Sequence, residues 1–286
     1  MLRTLALLVT LFTFMPLALA APMVWQATNA QTEFRIIGSI HVGSEAFYPL
    51  PSAIEAFIAD SDALIIEADL SQLGQATYPV NRYVSQQVLT ADQAQQLAVI
   101  TQALQLPLEQ LKVSPPWATA LTIQMAQVEK MGYQAKHGVD VYLIEKAQRN
   151  GIPLHPLETA QFQIDLLSKT PQDGKELLIS ALEEFADSEA LFACLVESWQ
   201  QGDAKKLLEF ARRSNISPEL EKAMFTERNV DWANKLTQLS IDKPGRYSVV
   251  VGALHLVGEQ NLLALLEQSG FKTQQLTQSQ PAQCHF

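Results

Sequence analysis

Two copies of a Gly-x-x-His pattern lie near opposite ends of the sequence. The first runs from Gly38 to His41, and the second runs from Gly252 to His255. Each pattern follows an apolar run typical of a buried strand and precedes a loop and an amphipathic helix. One such pattern alone indicates a structural histidine, but ligands of open α/β sheets bind at the carboxyl ends of the strands. We therefore expect the two histidines to converge on one site.

Carboxylates follow two other apolar runs in the same way. Glu67 comes directly after the run at 63–66, and Glu158 ends a short apolar segment. A carboxylate in this position is costly to bury without a partner. The alternatives are a helix cap or an ion pair with Arg228 for Glu67, and a cap of the helix that begins near Thr159 for Glu158.

Two imidazoles and a carboxylate, from His41, His255 and Glu67, form a complete donor set for a divalent metal. Manganese, cobalt and zinc all suit these ligands, and the residue types do not select among them. A bound metal would activate a water molecule and polarise a carbonyl group. Glu158 would then act as a further ligand or as general base, and Glu45, in the loop after the first histidine, would reach the site more loosely.

Arg228 and Asn229 lie in a polar segment that is predicted to be helical. An arginine is a natural clamp for a substrate carboxylate or an oxyanion, so these two residues are further candidates for the site. The alternative is a surface helix in which Arg228 pairs with Glu227 or Asp231 and Trp232 fills the core.

The strands that would carry these residues are predicted from apolar runs rich in β-branched residues. They lie at 34–37, 63–66, 152–157, 247–251 and 271–276. Residues 80–150 and 173–238 show helical periodicity instead. The pattern predicts the α/β class, with a central mixed, mostly parallel sheet flanked by helices. We expect a single domain over residues 21–286, with a helical insertion at about 80–240.

The composition favours a globular protein and excludes some partners. The chain has 286 residues, of which 48% are hydrophobic, enough for a sizeable packed core. Asp and Glu number 30 against 20 Lys and Arg, which gives a formal net charge of -10. Because such a chain repels phosphate groups, we expect no nucleic-acid partner and no docking on anionic membranes. A peptide or a small molecule is the expected substrate.

The beginning of the sequence has the pattern of a secretory signal peptide over residues 1–20. Arg3 is followed by an almost wholly apolar run, and Ala18-Leu19-Ala20 matches a cleavage site. Cleavage after Ala20 would leave no stable membrane anchor, and the alternative is an uncleaved anchor. The pattern predicts a periplasmic or secreted protein.

Two cysteines, Cys194 and Cys284, are too few for a disulfide scaffold or for a Cys-rich zinc module. An exported chain meets an oxidising compartment, so we expect these two cysteines to form one disulfide bond. Two buried or free thiols are the alternative.

Taken in order, the motifs resemble the TraB/GumN family over about residues 30–277. The segments that carry the resemblance are Gly38–His41, Tyr48–Pro51, Ile66–Leu70, Gly138–Asp140, Gly151–Pro153, Leu157–Thr159, Glu227–Asn229 and Val251–Gly258. The family is related to the Tiki proteins, which are metal-dependent proteases that use paired Gly-x-x-His motifs and acidic residues. The resemblance also implies an α/β fold shared with erythromycin-esterase-like and haem-binding ChaN-like proteins.

By position, the resemblance implies a site whose members are His41, Glu67, His255, Glu158 and Arg228. The sequence departs from the family pattern beside the second histidine, where it has leucine and many relatives have glycine. Residues and resemblance together predict an exported metal-dependent hydrolase, with a peptide bond as the expected target. The alternatives are a non-catalytic protein that binds a peptide, a signalling molecule or haem, and a hydrolase of esters or lactones.

Overall fold

The computed structural model describes residues 21–78, 80, 82–213 and 216–286. The predicted signal peptide, residues 1–20, lies outside the described residues. Within the described part of the chain, no helix is both long enough and apolar enough to span a membrane.

Six strands form one mixed sheet. They are β1 (Val24–Thr28), β2 (Glu33–Ser39), β3 (Ala63–Ala68), β4 (Leu154–Glu158), β5 (Arg246–Gly252) and β6 (Lys272–Gln275). Their order across the sheet is β4-β3-β5-β2-β1-β6. The strands from β4 to β2 are parallel, whereas β1 pairs antiparallel with both β2 and β6. This confirms the predicted fold class of a mixed, mostly parallel sheet.

The central strands are apolar because helices cover both faces of a parallel sheet. Every residue of β3 is buried, as are all residues of β5 between its first and last. Strand β4 lies at the edge, where Pro156 removes a backbone donor without breaking the centre of the sheet. The sequence does not predict strand β1, because apolar and polar residues alternate only weakly over Val24–Thr28. This segment forms a strand because a short connection brings it alongside β2.

Thirteen α-helices surround the sheet in the described part of the chain. They are α1 (Ser52–Ala59), α2 (Ser85–Val88), α3 (Ala91–Ala103), α4 (Leu108–Lys112), α5 (Pro116–Lys130), α6 (Val139–Arg149), α7 (Ala160–Ser168), α8 (Lys175–Glu183), α9 (Ser188–Gln200), α10 (Ala204–Arg213), α11 (Pro218–Glu221), α12 (Glu227–Asp242) and α13 (Leu262–Gln268). A π-helical turn, Lys222–Thr226, joins α11 to α12. Helices α1, α6, α12 and α13 contribute side chains to the core that contains the sheet.

The long helical region between β3 and β5 returns to the sheet once, at β4. Helices α2, α3, α5 and α8 from this region enclose a smaller apolar cluster of their own, which includes Leu97, Ile123 and Leu178. Helix α9 is tied to the C-terminal segment by a disulfide bond between Cys194 and Cys284, with 5.3 Å between their Cα atoms.

Candidate functional site

The two Gly-x-x-His motifs lie side by side at the carboxyl edge of the sheet. Strands β2 and β5 are parallel neighbours, and their register pairs Ser39 with Gly252. The motifs also touch directly, since a Cβ atom on Gly38 would lie 3.2 Å from the Cα atom of Ala253. The glycine therefore permits the close approach that brings the two motifs together.

The same edge carries both predicted carboxylates. Glu67 belongs to the end of β3, and Glu158 is the last residue of β4. Because the order of the parallel strands is β4-β3-β5-β2, the site residues follow one another along the edge. Helix α12 adds an arginine from outside the sheet. We refer to this group of side chains as the edge cluster: His41, Glu67, Glu158, Arg228 and His255.

Arg228 joins the carboxylates of two strands in a buried ionic network. Its Nη2 donates to Glu67 Oε2 at 2.7 Å and to Glu158 Oε2 at 2.9 Å, and its Nε donates to Glu158 Oε1 at 2.8 Å. Trp232, one turn further along α12, donates from Nε1 to Glu158 Oε1 at 2.8 Å. The side chains of Glu67, Glu158 and Arg228 are all less than a tenth exposed. The ion pair with Arg228, which the sequence offered as one alternative for Glu67, is therefore present.

Each N–H group of Arg228 has an acceptor among the described residues. Besides its bonds to the two glutamates, Nη1 donates to the Met224 carbonyl at 3.1 Å and faces His255 Nε2 at 3.3 Å. A guanidinium has five N–H groups, so this arrangement uses all of them. Arg228 thus pairs with buried acids of the sheet and not with neighbours on its own helix.

His255 is held in one tautomer by its two neighbours. Its Nδ1 lies 2.7 Å from Asn229 Oδ1, and the Asn229 amide nitrogen donates to the Gln260 carbonyl at 2.9 Å. The Asn229 oxygen is therefore an acceptor, so Nδ1 of His255 carries the proton and Nε2 accepts from Arg228. Burial lowers the pKa of His255 to about 3, with the nearby positive charges acting in the same direction. The ring is neutral at physiological pH.

His41 differs from His255 because it faces solvent. Its side chain is 62% exposed, and its Nδ1 lies 3.4 Å from Oδ1 of Asp140, which is 16% exposed in the first turn of α6. The pair with Asp140 and the charge of Glu67 raise the pKa of His41 to about 9, because they outweigh the opposing effect of the protein atoms around the ring. His41 is therefore the charged and accessible member of the edge cluster.

Backbone contacts fix the distance between His41 and Asp140. Gly43 and Gln134 exchange two backbone hydrogen bonds, of 3.1 and 2.8 Å. The Val139 amide donates to the Ile40 carbonyl at 2.9 Å, directly beside the histidine. These bonds lock the loop after β2 to the start of α6. As a result, the carboxylate of Asp140 stays behind the imidazole ring.

Glu67 is ionised because its partners outweigh its burial. Burial raises its pKa, but the charges of His41 and Arg228 and the amide of Gly252 outweigh it and lower the pKa to about 2. The hydrogen bond from the backbone amide of Gly252 to Glu67 Oε1 is short, at 2.6 Å. Both carboxylate oxygens therefore accept hydrogen bonds from the protein.

The three predicted metal ligands all lie near Gly252, but His255 presents a carbon atom to it and not a ring nitrogen. A Cβ atom at this glycine would lie 3.3 Å from Glu67 Oε1, 3.6 Å from His255 Cδ2 and 3.8 Å from His41 Nε2. The absence of a side chain leaves room at the point that all three groups face. Gly252 therefore contributes to the site both by its lack of a side chain and by the amide that binds Glu67.

The donor types of the edge cluster fit the divalent metal that the sequence predicts. Asn229 accepts a hydrogen bond from Nδ1 of His255, which is how metal-binding histidines are commonly oriented, whereas Asp140 lies 3.4 Å from Nδ1 of His41 as an ion-pair partner without a hydrogen bond. Arg228, however, takes one oxygen of Glu67 and faces Nε2 of His255. Within the described part of the chain, no group of three or more His, Cys, Asp or Glu side chains is arranged to hold a metal ion.

The structure does not bring Glu45 to the edge cluster. Its side chain is 89% exposed and lies 3.9 Å from His137 Nε2, because the loop after His41 turns away from the sheet. Glu158 does not cap the next helix either: Thr159 accepts from the Phe162 amide at 3.0 Å and caps α7 itself. The glutamate is therefore free to turn towards Arg228.

Two residues of the site were not predicted for it from the sequence. Asp140 has the pattern of an acidic residue in the first turn of a helix, and Trp232 has that of a core aromatic. Trp232 is indeed fully buried, but its indole N–H also binds Glu158. The available signal for Asp140 is its place in the Gly138–Asp140 segment, which is one of those that carry the resemblance to the family.

Comparisons with known proteins agree on one family. The model of the TraB/PrgY/gumN family matches residues 23–275. The protein described as "Uncharacterized protein YbaP" of Escherichia coli (strain K12) is 32% identical over 235 residues, which cover 82% of this chain and 87% of that protein. Its namesake in Shigella flexneri is 32% identical over 233 residues, which cover 81% and 86% of the two chains. No solved structure matches significantly. The chain belongs to the TraB/PrgY/gumN family.

Proposed function

We propose that this chain is an exported hydrolase that cleaves a peptide bond at the edge cluster. One observation supports this most strongly: His41 is an exposed, charged histidine held from behind by Asp140 and facing a buried carboxylate. A histidine that a carboxylate orients, with its second ring nitrogen directed towards a site, is suited to general acid–base catalysis.

In this proposal His41 transfers protons at the bond that is cleaved. Its raised pKa keeps a proton on the ring at neutral pH, and Nε2 faces the open space at Gly252. A substrate lying over this glycine would therefore have a proton donor beside its leaving amine. A water molecule adds its oxygen to the carbonyl carbon as the C–N bond breaks, and the imidazole that has lost its proton to the amine takes up the proton that this water releases, supported again by Asp140.

In this proposal Arg228 and the two glutamates form a rigid ionic network beside the substrate. The arginine holds Glu67 and Glu158 in place and offsets part of their negative charge. It does so without rearrangement, because its hydrogen bonds are already made. Arg228 is thus proposed as a positioning residue, with no direct bond to the substrate.

A divalent metal remains part of the proposal. In the metal-bound form His41 would give up its proton and hold the ion together with His255 and Glu67, and the ion would supply an activated water molecule and a polarised carbonyl in place of proton donation by His41. Manganese, cobalt and zinc are the expected candidates. Its presence is tested by elemental analysis of protein purified without chelators and without affinity resins that carry metal.

The hydrolase proposal is tested with a library of unstructured peptides, with and without added manganese, cobalt or zinc. We expect cleavage by the wild type and a loss of at least about 100-fold for His41→Ala and His255→Ala. His285→Ala, in the exposed C-terminal segment, serves as the control and should keep full activity. No bound metal together with no cleavage under any of these conditions would refute the proposal.

Export is tested separately from catalysis. The proposal of a periplasmic or secreted protein is supported by the signal-peptide pattern and by the disulfide bond between Cys194 and Cys284. Sequencing of the mature N-terminus after cell fractionation should give Ala21 as the first residue. An intact Met1 in the cytoplasmic fraction would contradict it.

A binding protein without catalysis is the second candidate. It is favoured by the observation that both oxygens of Glu67 and all N–H groups of Arg228 already have protein partners. Such a protein would hold a peptide, a signalling molecule or haem at the same edge. Loss of binding in His41→Ala, with no turnover by the wild type, would favour this candidate over a hydrolase of peptides, esters or lactones.

A further inference from the structure

A cavity of about 580 Å³ adjoins the edge cluster on the side of β4. It lies between the end of that strand, helix α7 and the start of α12. Its volume is in the range of small-molecule sites, roughly 300 to 1,000 Å³. It also lies at the carboxyl end of a parallel strand, where open α/β sheets bind their ligands.

The cavity and the edge cluster share two residues. Glu158 and Arg228 line the cavity and also form the centre of the ionic network beside His255 and Glu67. A chemical group that occupies the cavity would therefore place its neighbouring atoms next to the edge cluster. The cavity thus adjoins the edge cluster through Glu158 and Arg228, whereas His41, Glu67, Gly252 and His255 do not line it.

The charged residues around the cavity already have partners. Asp231 pairs with Lys235 at 2.6 Å, and Glu227 pairs with Lys222 at 3.1 Å. Lys235 also donates to the Leu157 carbonyl at 2.6 Å. A charged ligand would therefore find each of these charges already compensated. This argues against recognition of a carboxylate or an ammonium group in the cavity.

The remaining surface of the cavity is apolar and partly open to solvent. Phe162 is 44% exposed, and Leu166 and Ala223 are half-buried. Burying the ring of Phe162 against an apolar ligand would remove this surface from water, which is favourable. Ala223 lies in the π-helical turn before α12, an irregularity that often occurs at functional sites.

We propose that this cavity binds an uncharged, apolar side chain of a peptide, next to the bond presented to the edge cluster. This inference rests on the proposed hydrolase function, but binding in the cavity can be measured without any cleavage. It names the substrate class: peptides with a leucine-sized or phenylalanine-sized residue beside the cleaved bond.

Binding is measured first, by ligand-observed NMR with small amides as probes. We expect N-acetyl-phenylalaninamide to bind and N-acetyl-glycinamide, N-acetyl-lysinamide and N-acetyl-aspartamide to bind at least about tenfold more weakly. Equal binding of the glycine and phenylalanine probes would overturn the proposal. Hexanamide represents an acyl chain, and tighter binding of hexanamide than of the phenylalanine probe would overturn the assignment to a peptide side chain.

Matched variants then locate the binding. Ala223→Phe should fill the cavity and weaken the phenylalanine probe by about tenfold or more. Val230→Phe adds the same ring at a 42% exposed position of α12 outside the cavity and should leave binding unchanged. Phe162→Ala removes an exposed ring that lines the cavity. It tests the cavity even if the protein does not tolerate a phenylalanine at position 223. Unchanged binding in both cavity variants would overturn the proposal.

Hydrolysis of the peptide library separates this inference from the proposed function. Selective binding of the phenylalanine probe without cleavage of any peptide would refute the hydrolase and retain the pocket. Cleavage without preference for apolar residues, unchanged in Ala223→Phe, would retain the hydrolase and refute the pocket. Cleavage beside large apolar residues by the wild type, shifted to small residues in Ala223→Phe, would support both.

Discussion

Arg228 grips Glu158 with two parallel hydrogen bonds, from Nε to Oε1 at 2.8 Å and from Nη2 to Oε2 at 2.9 Å. Such two-point contacts hold both partners in one orientation. Because α12 provides the arginine and the sheet edge provides the carboxylate, one pair of side chains joins two layers of the fold. The same guanidinium also reaches Glu67, so the strands β3 and β4 share a single counter-charge.

Removal of this counter-charge should destabilise the protein strongly. Arg228→Ala would leave Glu67 and Glu158 buried without a cation, which typically costs about 3–5 kcal/mol. Urea unfolding followed by circular dichroism measures the effect. Lys112→Ala breaks an exposed ion pair of 2.7 Å with Glu109 and is the control, with an expected loss of about 1 kcal/mol or less. Equal midpoints for the two variants would contradict the buried network.

Stability should fall in acid because His255 resists protonation when folded. Its pKa is about 3 in the folded chain against an ordinary value of 6.5, so the unfolded chain binds the extra proton between these values. The contribution is complete above pH 6.5 and is lost as the pH falls towards 3. Melting temperatures measured from pH 7 to 3 should decline less steeply in His255→Gln than in the wild type. His285→Gln is the control and should keep the wild-type slope.

On the alkaline side, His41 should act in the opposite direction. Its pKa is raised from 6.5 to about 9 in the folded chain, so the folded state holds the extra proton. This contribution is present below pH 6.5 and is lost as the pH rises through 9. Asp140→Asn removes the main counter-charge and should flatten the melting temperature between pH 6.5 and 9.5. Glu45→Gln, an exposed acid outside the edge cluster, should not; similar curves for both variants would contradict the assigned pair.

Two glycine substitutions should separate stability from site chemistry. Gly252 has φ -52°, which alanine adopts freely, but its Cβ atom would lie 3.3 Å from Glu67 Oε1. Gly252→Ala should therefore obstruct activity or ligand binding with little change in unfolding. At Gly43 a Cβ atom would overlap the His137 carbonyl, so Gly43→Ala should destabilise by about 1–3 kcal/mol. Unfolding curves and peptide assays on the same preparations check both outcomes, and equal destabilisation would refute the distinction.

Breaking the disulfide bond should lower the free energy of unfolding. Cys194 and Cys284 are separated by 90 residues, and a loop of this length corresponds to about 4–5 kcal/mol in the chain-entropy model. Urea unfolding of the Cys194→Ser, Cys284→Ser double variant measures the difference. Mass spectrometry after alkylation provides the independent check: protein kept without reductant should show no free thiol, and two alkylated cysteines would contradict the bond.

Much of the edge cluster could be predicted because its members follow apolar strands. Glu67 and Glu158 end such strands, and the two Gly-x-x-His motifs mark strand ends that a parallel sheet brings together. Strand β1 could not be predicted, since Val24–Thr28 becomes a strand through pairing with β2 and β6 more than through its own pattern.

The partners of these residues could not be read from the sequence. Asp140 contacts His41 only because the loop after β2 is bonded to the start of α6, a contact between segments far apart in the chain. Whether Arg228 clamps a substrate or pairs with acids depends on how many acceptors surround its guanidinium. The number of acceptors depends on how α12 packs against the ends of β3 and β4. Neither the local spacing of residues nor their type determines this packing.

The position of β5 between β3 and β2 affects how the protein folds during synthesis. Strands β2 and β3 are synthesised early, but the slot between them stays empty until Arg246–Gly252 has left the ribosome. Until then both strands present an unpaired edge, and the edge cluster lacks His255, which follows β5 in the chain. A chain that stops before β5 should therefore keep these strand edges exposed and prone to association, and the edge cluster can be complete only after this central strand has inserted.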